Sequence, residues 1–339
     1  MFTSKTILAL ALAVGSASAV HYTHSESSQL YLWKAFKAEH QKAYADVAED
    51  KRRFGVFVQN LKLIDARNAA ETGTAVHGIT KFCDLTVEEF KEGYLNYAPP
   101  EKNVTDVNRT PAVGLLDRND TDVVQDWTGV YTTPVKDQGY CGSCWAFSAT
   151  EQIESDWLRT GGGETILSPQ QVTSCTKYLI PGVGGCNGGF PESGYRYARR
   201  GLEQDVDYPY TSGNRGITGQ CDSNSSKFVV KTTGYTNVAS GQPGDEDMMA
   251  EYVGYTGPLS IVVDASVWST YTGGIMSNCG QDINHAVQVV GVDTTLRGSW
   301  KVRNSWGTSW GESGYIRLKY GKNTCGLAAD ANWVFVEPI

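Results

Sequence analysis

The stretch QGYCGSCWAF, residues 138–147, separates a turn-rich lead-in from a predicted helix. Gly129 and Pro134 stand upstream of it, whereas from Ser143 to about Thr160 apolar residues recur at helical spacing until a run of three glycines ends the pattern. Cys144 therefore lies in the first turn of a helix. Because helix N-termini favour negative charge, a thiol there is biased toward thiolate, the nucleophilic form of cysteine.

A candidate partner for this thiol is His285, the one histidine from Thr121 to Ile339. It begins an apolar strand in INHAVQVV. Because an odd number of cysteines leaves at least one thiol unpaired, this histidine is a candidate acceptor for the thiol proton. Asn304, in VRNSWG, can accept a hydrogen bond from the second imidazole nitrogen, and Trp306 would shield that bond from water. The side-chain amide of Gln138 and the backbone N–H of Cys144 can form an oxyanion hole. Together these groups make a complete set for acyl transfer.

The cysteines also allow other interpretations. Eight are present, and the seven that follow residue 121 cannot all pair with one another. Cys141 and Cys144 have the C-x-x-C spacing of redox motifs and zinc half-sites. A zinc site is disfavoured because there is no second C-x-x-C and His285 is far away in the sequence. A redox pair stays an alternative, although it would not need the surrounding Gln-Gly and NSWG motifs. We expect no metal and no other cofactor.

The N-terminus has the features of a secretory signal peptide, residues 1–19. Lys5 provides the positive flank, Ile7 to Val14 a short apolar run, and Ala17-Ser18-Ala19 a small-residue cleavage site. The run is too short to cross a bilayer. We therefore predict passage into the secretory pathway, where disulfides form. The expected destination is an acidic compartment of lysosomal or vacuolar type, or the cell exterior.

The overall charge limits the classes of partner. The 339-residue chain has a formal net charge of −8 and a sequence pI of about 5.2. Such a balance argues against binding to nucleic acid and against binding to an anionic membrane surface. The excess of acidic residues lies almost entirely from Thr121 onward. An acidic surface loses charge as the pH falls, which fits an acidic compartment.

Two amphipathic helical stretches are predicted between residues 28 and 70, and Phe54, Phe57 and Leu61 share one face of the second. Residues 98–120 contain prolines and few large apolar side chains, which indicates an exposed linker open to proteolysis. From about Gly257 onward the runs LSIVVDA, AVQVVGVD, SWKVRNSW and YIRLKY predict short strands. The fold class is therefore α+β. Four sequons are candidates for N-glycosylation: Asn103, Asn108, Asn119 and Asn224.

These motifs resemble the papain-like cysteine peptidases, and the residues before the linker resemble the pro-segments of their cathepsin-L-like branch. The matching stretches are QGYCGSCWAF, GCNGG (185–189), GPLSIVVDA, NHAV and NSWGTSWGESGY. The pro-segment pattern E-x3-R-x3-F-x2-N-x3-I-x3-N stands at Glu49, Arg53, Phe57, Asn60, Ile64 and Asn68. The resemblance implies a helical and a β-barrel-like subdomain with the active-site cleft between them, preceded by a helical pro-domain. The expected division is a signal peptide (1–19), a pro-domain (20–97), a linker with the maturation site (98–120) and a peptidase domain (121–339).

The resemblance also implies a role for each catalytic residue. Cys144 would be the nucleophile and His285 the imidazole that exchanges protons with it. Gln138 would bind the oxyanion, and Asn304 would orient the imidazole. The implied disulfides are Cys141–Cys186, Cys175–Cys221 and Cys279–Cys325. The implied substrate-binding residues are Gly188, Gly189, Phe190, Pro191, Val262, Asn284, Trp306 and Asp330. Asp330 would lie at the floor of the S2 pocket, which takes the P2 side chain, the second residue before the cleaved bond. An ionised carboxylate there can pair with Arg, and its protonated form tolerates Leu or Phe. The alternative is that Asp330 points to solvent.

The function implied is that of a secretory-pathway cysteine endopeptidase, made as a self-inhibited precursor and acting through an acyl-enzyme. Its partners would be protein and peptide substrates and its own pro-segment, and we expect a monomer. An inactive relative would be expected to lack the thiol or the imidazole. An exopeptidase of the same fold is the closer alternative, because the loop from Cys175 to Cys186 is extended. A histidine-bearing occluding loop is excluded, since His285 is the single histidine from Thr121 onward. Cys83 is unexpected in the pro-segment and is either buried or a handle for precursor dimers.

Overall fold

The computed structural model describes residue 22 and residues 25–97, 122–176 and 184–339. The predicted signal peptide, the linker with Asn103, Asn108 and Asn119, and the middle of the loop between Cys175 and Cys186 lie outside the described residues. The described residues form an N-terminal domain (residues 25–97) and a C-terminal domain (residues 122–339). Within them, no helix has the length and apolar character needed to cross a membrane.

The N-terminal domain is built on two helices that pack on each other, and the sequence predicts two helical stretches here. Its elements are α1 (Glu26–Glu39), α2 (Val47–Ala70), β1 (Val76–His77) and α3 (Val87–Tyr94). Side chains cap all three helices: Ser25 accepts from the backbone N–H of Ser28, Asp46 from that of Glu49, and Thr86 forms a reciprocal capping box with Glu89. The apolar faces of α1 and α2 meet in a core of Trp33, Phe36, Phe57, Leu61 and Ile64.

Polar residues spaced along α2 hold the chain that follows it. The guanidinium of Arg53 bridges Glu49 at 2.7 Å and Glu89, at the start of α3, at 2.7 Å. The amide of Asn60 donates to the carbonyls of Cys83 and Leu85, both at 2.9 Å. The Asn60 bonds satisfy backbone carbonyls of the loop between α2 and α3, and the Arg53 bonds tie the start of α3 to α2, so both hold the following chain against this helix.

The C-terminal domain contains helices packed against an eight-stranded sheet. Its elements are β2 (Val124–Asp126), α4 (Cys144–Arg159), α5 (Pro169–Cys175), α6 (Pro191–Ala198), β3 (Val230–Ala239), α7 (Asp245–Tyr255), β4 (Leu259–Val263), β5 (Tyr271–Gly273), β6 (Ile275–Met276), β7 (His285–Asp293), β8 (Ser299–Arg303), β9 (Tyr315–Lys319) and β10 (Ala331–Pro338). The strand order is β3-β10-β4-β7-β8-β9-β6, with β2 added to β7 and every pair but β6–β9 antiparallel. This confirms the α+β prediction.

The domain has two hydrophobic cores, which confirms the predicted division into two subdomains. In the helical core, α4 presents Ala146, Ala149 and Ile153 to Leu167 and Tyr195. The second core lies against the sheet and includes β4, β7, β8 and β9. The last strand joins the two subdomains, because Ala331 belongs to the sheet core and Val334 to the helical core. Long-range pairing of β10 with β3 was not expected from the sequence.

Three disulfides join Cys141 to Cys186, Cys175 to Cys221 and Cys279 to Cys325, the pairing that the resemblance implies. The first two tie the loops around α4 and α5, and the third ties the loops beside β4. Among the described cysteines, Cys83 and Cys144 are unpaired and both are buried. The Cys83 thiol accepts from the backbone N–H of Thr80 at 3.3 Å.

Candidate active site

Cys144 is the first residue of α4, where the sequence predicts it. Its thiol is buried and packs with Val262 and Ala286, the latter adjacent to His285 on β7. Burial raises the pKa of this thiol to about 11, while backbone hydrogen bonds with Ala286 and Asn96 act in the opposite direction. The helix position alone predicts a thiolate; here the thiol is neutral because the N-terminal domain covers it and excludes water.

His285 begins β7, and Asn304 follows the last residue of the neighbouring strand β8. The imidazole Nε2 lies 2.8 Å from Asn304 Oδ1, which also accepts from the backbone N–H of Ser305 at 2.8 Å. Among the described residues, the other nitrogen, Nδ1, has no hydrogen-bond partner. Burial lowers the pKa of His285 to about 4, and the bond to Asn304 raises it. The imidazole is therefore neutral in this covered state, with one nitrogen held and one left unbonded.

The indole of Trp306 covers the bond between His285 and Asn304. Its ring stacks on the imidazole at a centroid distance of 4.9 Å and an interplanar angle of 30°. Trp306 is completely buried. A hydrogen bond shielded from water in this way is stronger than an exposed one, since its surroundings have a low dielectric constant.

Gln138 is held rigidly beside the thiol. Its Oε1 accepts from Ser305 Oγ at 2.7 Å, and its Nε2 donates to the carbonyl of Cys141 at 2.9 Å and to that of Tyr94 at 3.3 Å. Tyr94 belongs to the N-terminal domain. Its carbonyl therefore occupies the Nε2–H donor of Gln138, which is suited to bind an oxyanion. Ser305, which orients this amide, was not singled out from the sequence.

The last described residues of the N-terminal domain lie across the cleft. The backbone N–H of Tyr97 donates to the carbonyl of Asn284 at 3.0 Å, and that of Gly189 donates to the carbonyl of Asn96 at 3.3 Å. A Cβ on Gly188, whose φ is +113°, would collide with the same Asn96 carbonyl. Gly188, Gly189 and Asn284 thus form a track for an extended backbone.

The side chain of Tyr97 enters a pocket on one side of the thiol. It packs against the cluster of Cys144, Val262 and Ala286, which Ile283 and Ala329 extend. Burial raises the pKa of the Tyr97 phenol, and the charges of Asp330 and Glu192 raise it further. The phenol therefore lies within electrostatic reach of Asp330, which the sequence places at the pocket floor.

Of the other sequence-predicted substrate-binding residues, Phe190 and Pro191 are buried at the start of α6, directly after Gly189. Trp306, which stacks on His285, is met edge to face by rings of the N-terminal domain. These are Phe82, Phe90 and Tyr94, at 5.3, 5.3 and 6.3 Å. The N-terminal domain therefore contacts both Trp306 and the cluster around the thiol.

A second contact joins the two domains away from the cleft, where β1 pairs with β5. The guanidinium of Arg67 donates to Ser269 Oγ at 3.0 Å and to Thr270 Oγ1 at 2.7 Å. His77 Nδ1 lies 2.8 Å from the same Thr270 oxygen. Burial lowers the pKa of His77 to about 4, and the charge of Arg67 lowers it further.

The sequence analysis predicts four catalytic groups, but it does not single out several other residues of this site. Glu192, buried in the first turn of α6, was not singled out because an acid at a helix start usually faces solvent. Asn96 and Tyr97 carried no signal, since their contacts are with residues far away in the sequence. No cluster of metal ligands occurs in the parts of the chain that are described.

The comparisons with known proteins agree with this geometry. Residues 120–335 match the papain family cysteine protease, and residues 33–90 match the cathepsin propeptide inhibitor domain. The chain belongs to the papain family of cysteine proteases, and its N-terminal domain is an inhibitory pro-segment.

Individual relatives cover nearly the whole chain. A cathepsin L-like proteinase of Phaedon cochleariae is 36% identical over 345 residues, which span 97% of this chain and 98% of that protein. Cysteine proteinase A of Leishmania mexicana is 37% identical over 307 residues, 86% of this chain and 82% of that protein. The structure of digestive procathepsin L 3 from the Tenebrio molitor larval midgut superimposes with a TM-score of 0.77 at 32% identity, covering 91% of this chain and 99% of that one.

Proposed function

We propose that the chain is the latent precursor of a cysteine endopeptidase in which Cys144 is the nucleophile and His285 its proton partner. The observation that carries this is the bond from His285 Nε2 to Asn304, which leaves Nδ1 for the thiol at the start of α4. Once the pro-segment leaves, water reaches the cleft, and proton transfer from sulfur to Nδ1 gives a thiolate and an imidazolium.

The catalytic cycle follows from these positions. The thiolate of Cys144 adds to the peptide carbonyl, and the resulting oxyanion accepts hydrogen bonds from Gln138 Nε2 and the Cys144 N–H. The imidazolium of His285 then protonates the departing amine as the carbon–nitrogen bond breaks, which leaves a thioester. The neutral imidazole next takes a proton from water, whose oxygen attacks the thioester and releases the acid and the thiol. Asn304 keeps the ring in the orientation that both transfers need.

Latency follows from what the pro-segment occupies. The carbonyl of Tyr94 takes the Gln138 donor, Asn96 pairs with Gly189, and Tyr97 fills the pocket beside the thiol. Activity therefore requires removal of the pro-segment, with cleavage expected in the linker between about residues 112 and 122. Maturation of this kind suits a secreted chain that becomes active in an acidic compartment or outside the cell.

An endopeptidase is supported over an exopeptidase by the path of the pro-segment. Between Phe90 and Tyr97 the chain passes from Trp306 to the cluster that Val262 forms with the Cys144 thiol. A cleft that holds continuous chain along this path can take the interior of a polypeptide. A peptide blocked at both ends tests this directly: the matured enzyme should cleave it internally, whereas an exopeptidase would leave it intact.

The pocket that holds Tyr97 is proposed as the S2 subsite. Its walls are apolar, and Asp330 lies within electrostatic reach of the residue that fills it. We expect apolar P2 residues to be accepted, and Arg as well when the pocket floor is ionised. Peptide panels that vary only at P2, assayed from about pH 5 to 8, measure this preference. The enzyme should act as a monomer on protein and peptide substrates.

A further inference from the structure

Two carboxyl groups, not one, lie beneath Tyr97. Asp330 immediately precedes β10, and Glu192 is in the first turn of α6 with 4% of its surface exposed. The two carboxyls are in hydrogen-bonding contact with each other, and the charges of both act on the Tyr97 phenol. Asp330 reaches the pocket from the residue before β10, and Glu192 reaches it from α6.

The surroundings supply too few donors for two negative charges. Asn237 Nδ2 donates to Asp330 at 2.9 Å. Asn332 Nδ2 is 3.4 Å from Glu192 and 3.5 Å from Asp330, and Tyr195 fixes this amide by donating to Asn332 Oδ1 at 2.6 Å. Among the described residues, Glu192 Oε2 has no hydrogen-bond partner.

Among the described residues, no lysine or arginine forms an ion pair with Glu192 or Asp330. The titratable groups that face the pair are the phenols of Tyr97, from the pro-segment, and Tyr195, from α6, while β3 and β10 contribute the neutral amides of Asn237 and Asn332. The charge of Glu192 acts on Asp330. Two carboxyls in contact in such a place cannot both ionise readily, so they titrate as a pair.

We propose that Glu192 is a second acidic residue of the S2 subsite and shares one proton with Asp330, so that the pair gains its second negative charge at a higher pH than an isolated carboxyl would. Burial raises the pKa of Asp330, and its contact with Glu192 raises it further, whereas Asn332 opposes the shift. This inference deepens the proposed S2 preference and rests on it. Glu192 thereby sets the pH at which the pocket gains its second charge for a basic P2 side chain.

The test is the ratio of kcat/KM for two peptides that differ only in Arg or Leu at P2, measured on the matured enzyme from about pH 5 to 8.5. Ionisations of Cys144 and His285 cancel in this ratio because both substrates use them. In the wild type the ratio should still be rising at a pH where an isolated carboxyl is already fully ionised. In Glu192→Gln the remaining carboxyl loses its charged neighbour, so the upper midpoint should fall by about one pH unit or more.

Two further variants make the result specific. Glu192→Asp keeps the charge but withdraws the carboxyl by one methylene, so it should lower the midpoint by less than Glu192→Gln. Asp207→Asn removes an exposed acid that is paired with Lys227 at 3.0 Å, and it should leave the midpoint unchanged. A shift in Asp207→Asn equal to that in Glu192→Gln would overturn the inference.

Different outcomes would contradict the proposed S2 preference and the proposed shared proton. If the wild-type ratio rises with pH and Glu192→Gln has the same midpoint, Asp330 acts alone: the S2 preference stands and the shared proton is wrong. If the wild type does not cleave the Arg peptide at any pH, the S2 preference itself is wrong, and the inference falls with it.

Discussion

The contact of His77 with Thr270 predicts that acid weakens the docking of the pro-segment. In the docked state the pKa of His77 is about 4, because burial and the charge of Arg67 oppose protonation. Once released to water, the same imidazole should return to about 6.5. Docking is therefore fully supported above about pH 6.5 and is progressively lost as the pH falls toward 4, because the released state binds the proton more tightly.

The magnitude follows from the difference between the two pKa values. At pH 5 the linkage weakens docking by about 2 kcal/mol, which is about 30-fold in the equilibrium constant, and near pH 4 by about 3 kcal/mol. His77→Gln removes the titration while keeping a polar group near Thr270. The pro-segment of this variant should therefore stay docked at a pH where the wild type opens.

Hydrogen exchange on the full-length Cys144→Ser precursor measures this without cleavage. After correction for the intrinsic rate, peptides covering residues 90–97 should exchange about 20-fold faster at pH 5 than at pH 7 if His77 is present. With His77→Gln added, most of that acceleration should vanish. His40→Gln is the matched control, because His40 packs on Phe36 inside the pro-segment. Equal acceleration with and without His77 would refute the reasoning.

Three other substitutions give independent tests. Cys144→Ser should abolish turnover and leave the precursor uncleaved, because a hydroxyl is far less acidic than a thiol; near-normal peptide hydrolysis by this variant would remove the proposed nucleophile. Asp330→Ala should reduce cleavage after P2-Arg by about 1–3 kcal/mol in transition-state terms and leave P2-Leu nearly unchanged; equal losses for both peptides would place Asp330 outside the pocket. Phe90→Ala removes a ring that meets Trp306 at 5.3 Å, so it should weaken docking by about 3 kcal/mol and give earlier maturation at neutral pH; maturation at the wild-type rate would contradict this.

Much of the fold was predictable because its signals are local. Helix α4 was expected from Ser143 to about Thr160 and runs over Cys144–Arg159, since its periodicity and the glycines that end it are adjacent in the chain. Strands β4, β7, β8 and β9 were likewise predicted from short β-rich runs. Helix α2 (Val47–Ala70) lies within the predicted helical region 28–70, and Asp46 caps its first turn.

What the sequence did not predict depends on contacts between distant residues. The pairing of β10 with β3 joins Val334 to Tyr235, about a hundred positions away, and no local pattern specifies it. The partner of Asp330 was missed for the same reason, since Glu192 resembles an ordinary acid at a helix start. The neutral thiol of Cys144 differs from the expectation because the helix position favours thiolate, whereas the cover by Asn96 and Tyr97 was not visible.

The most direct test of the central claim is alkylation of the matured enzyme with a thiol reagent, followed by peptide mapping and residual activity. Cys83 leaves with the pro-segment and the other six cysteines are in disulfides, so Cys144 is the thiol that remains. We predict a single adduct on Cys144 and a loss of peptidase activity in proportion to its occupancy. Full activity with Cys144 completely alkylated would contradict the proposed mechanism.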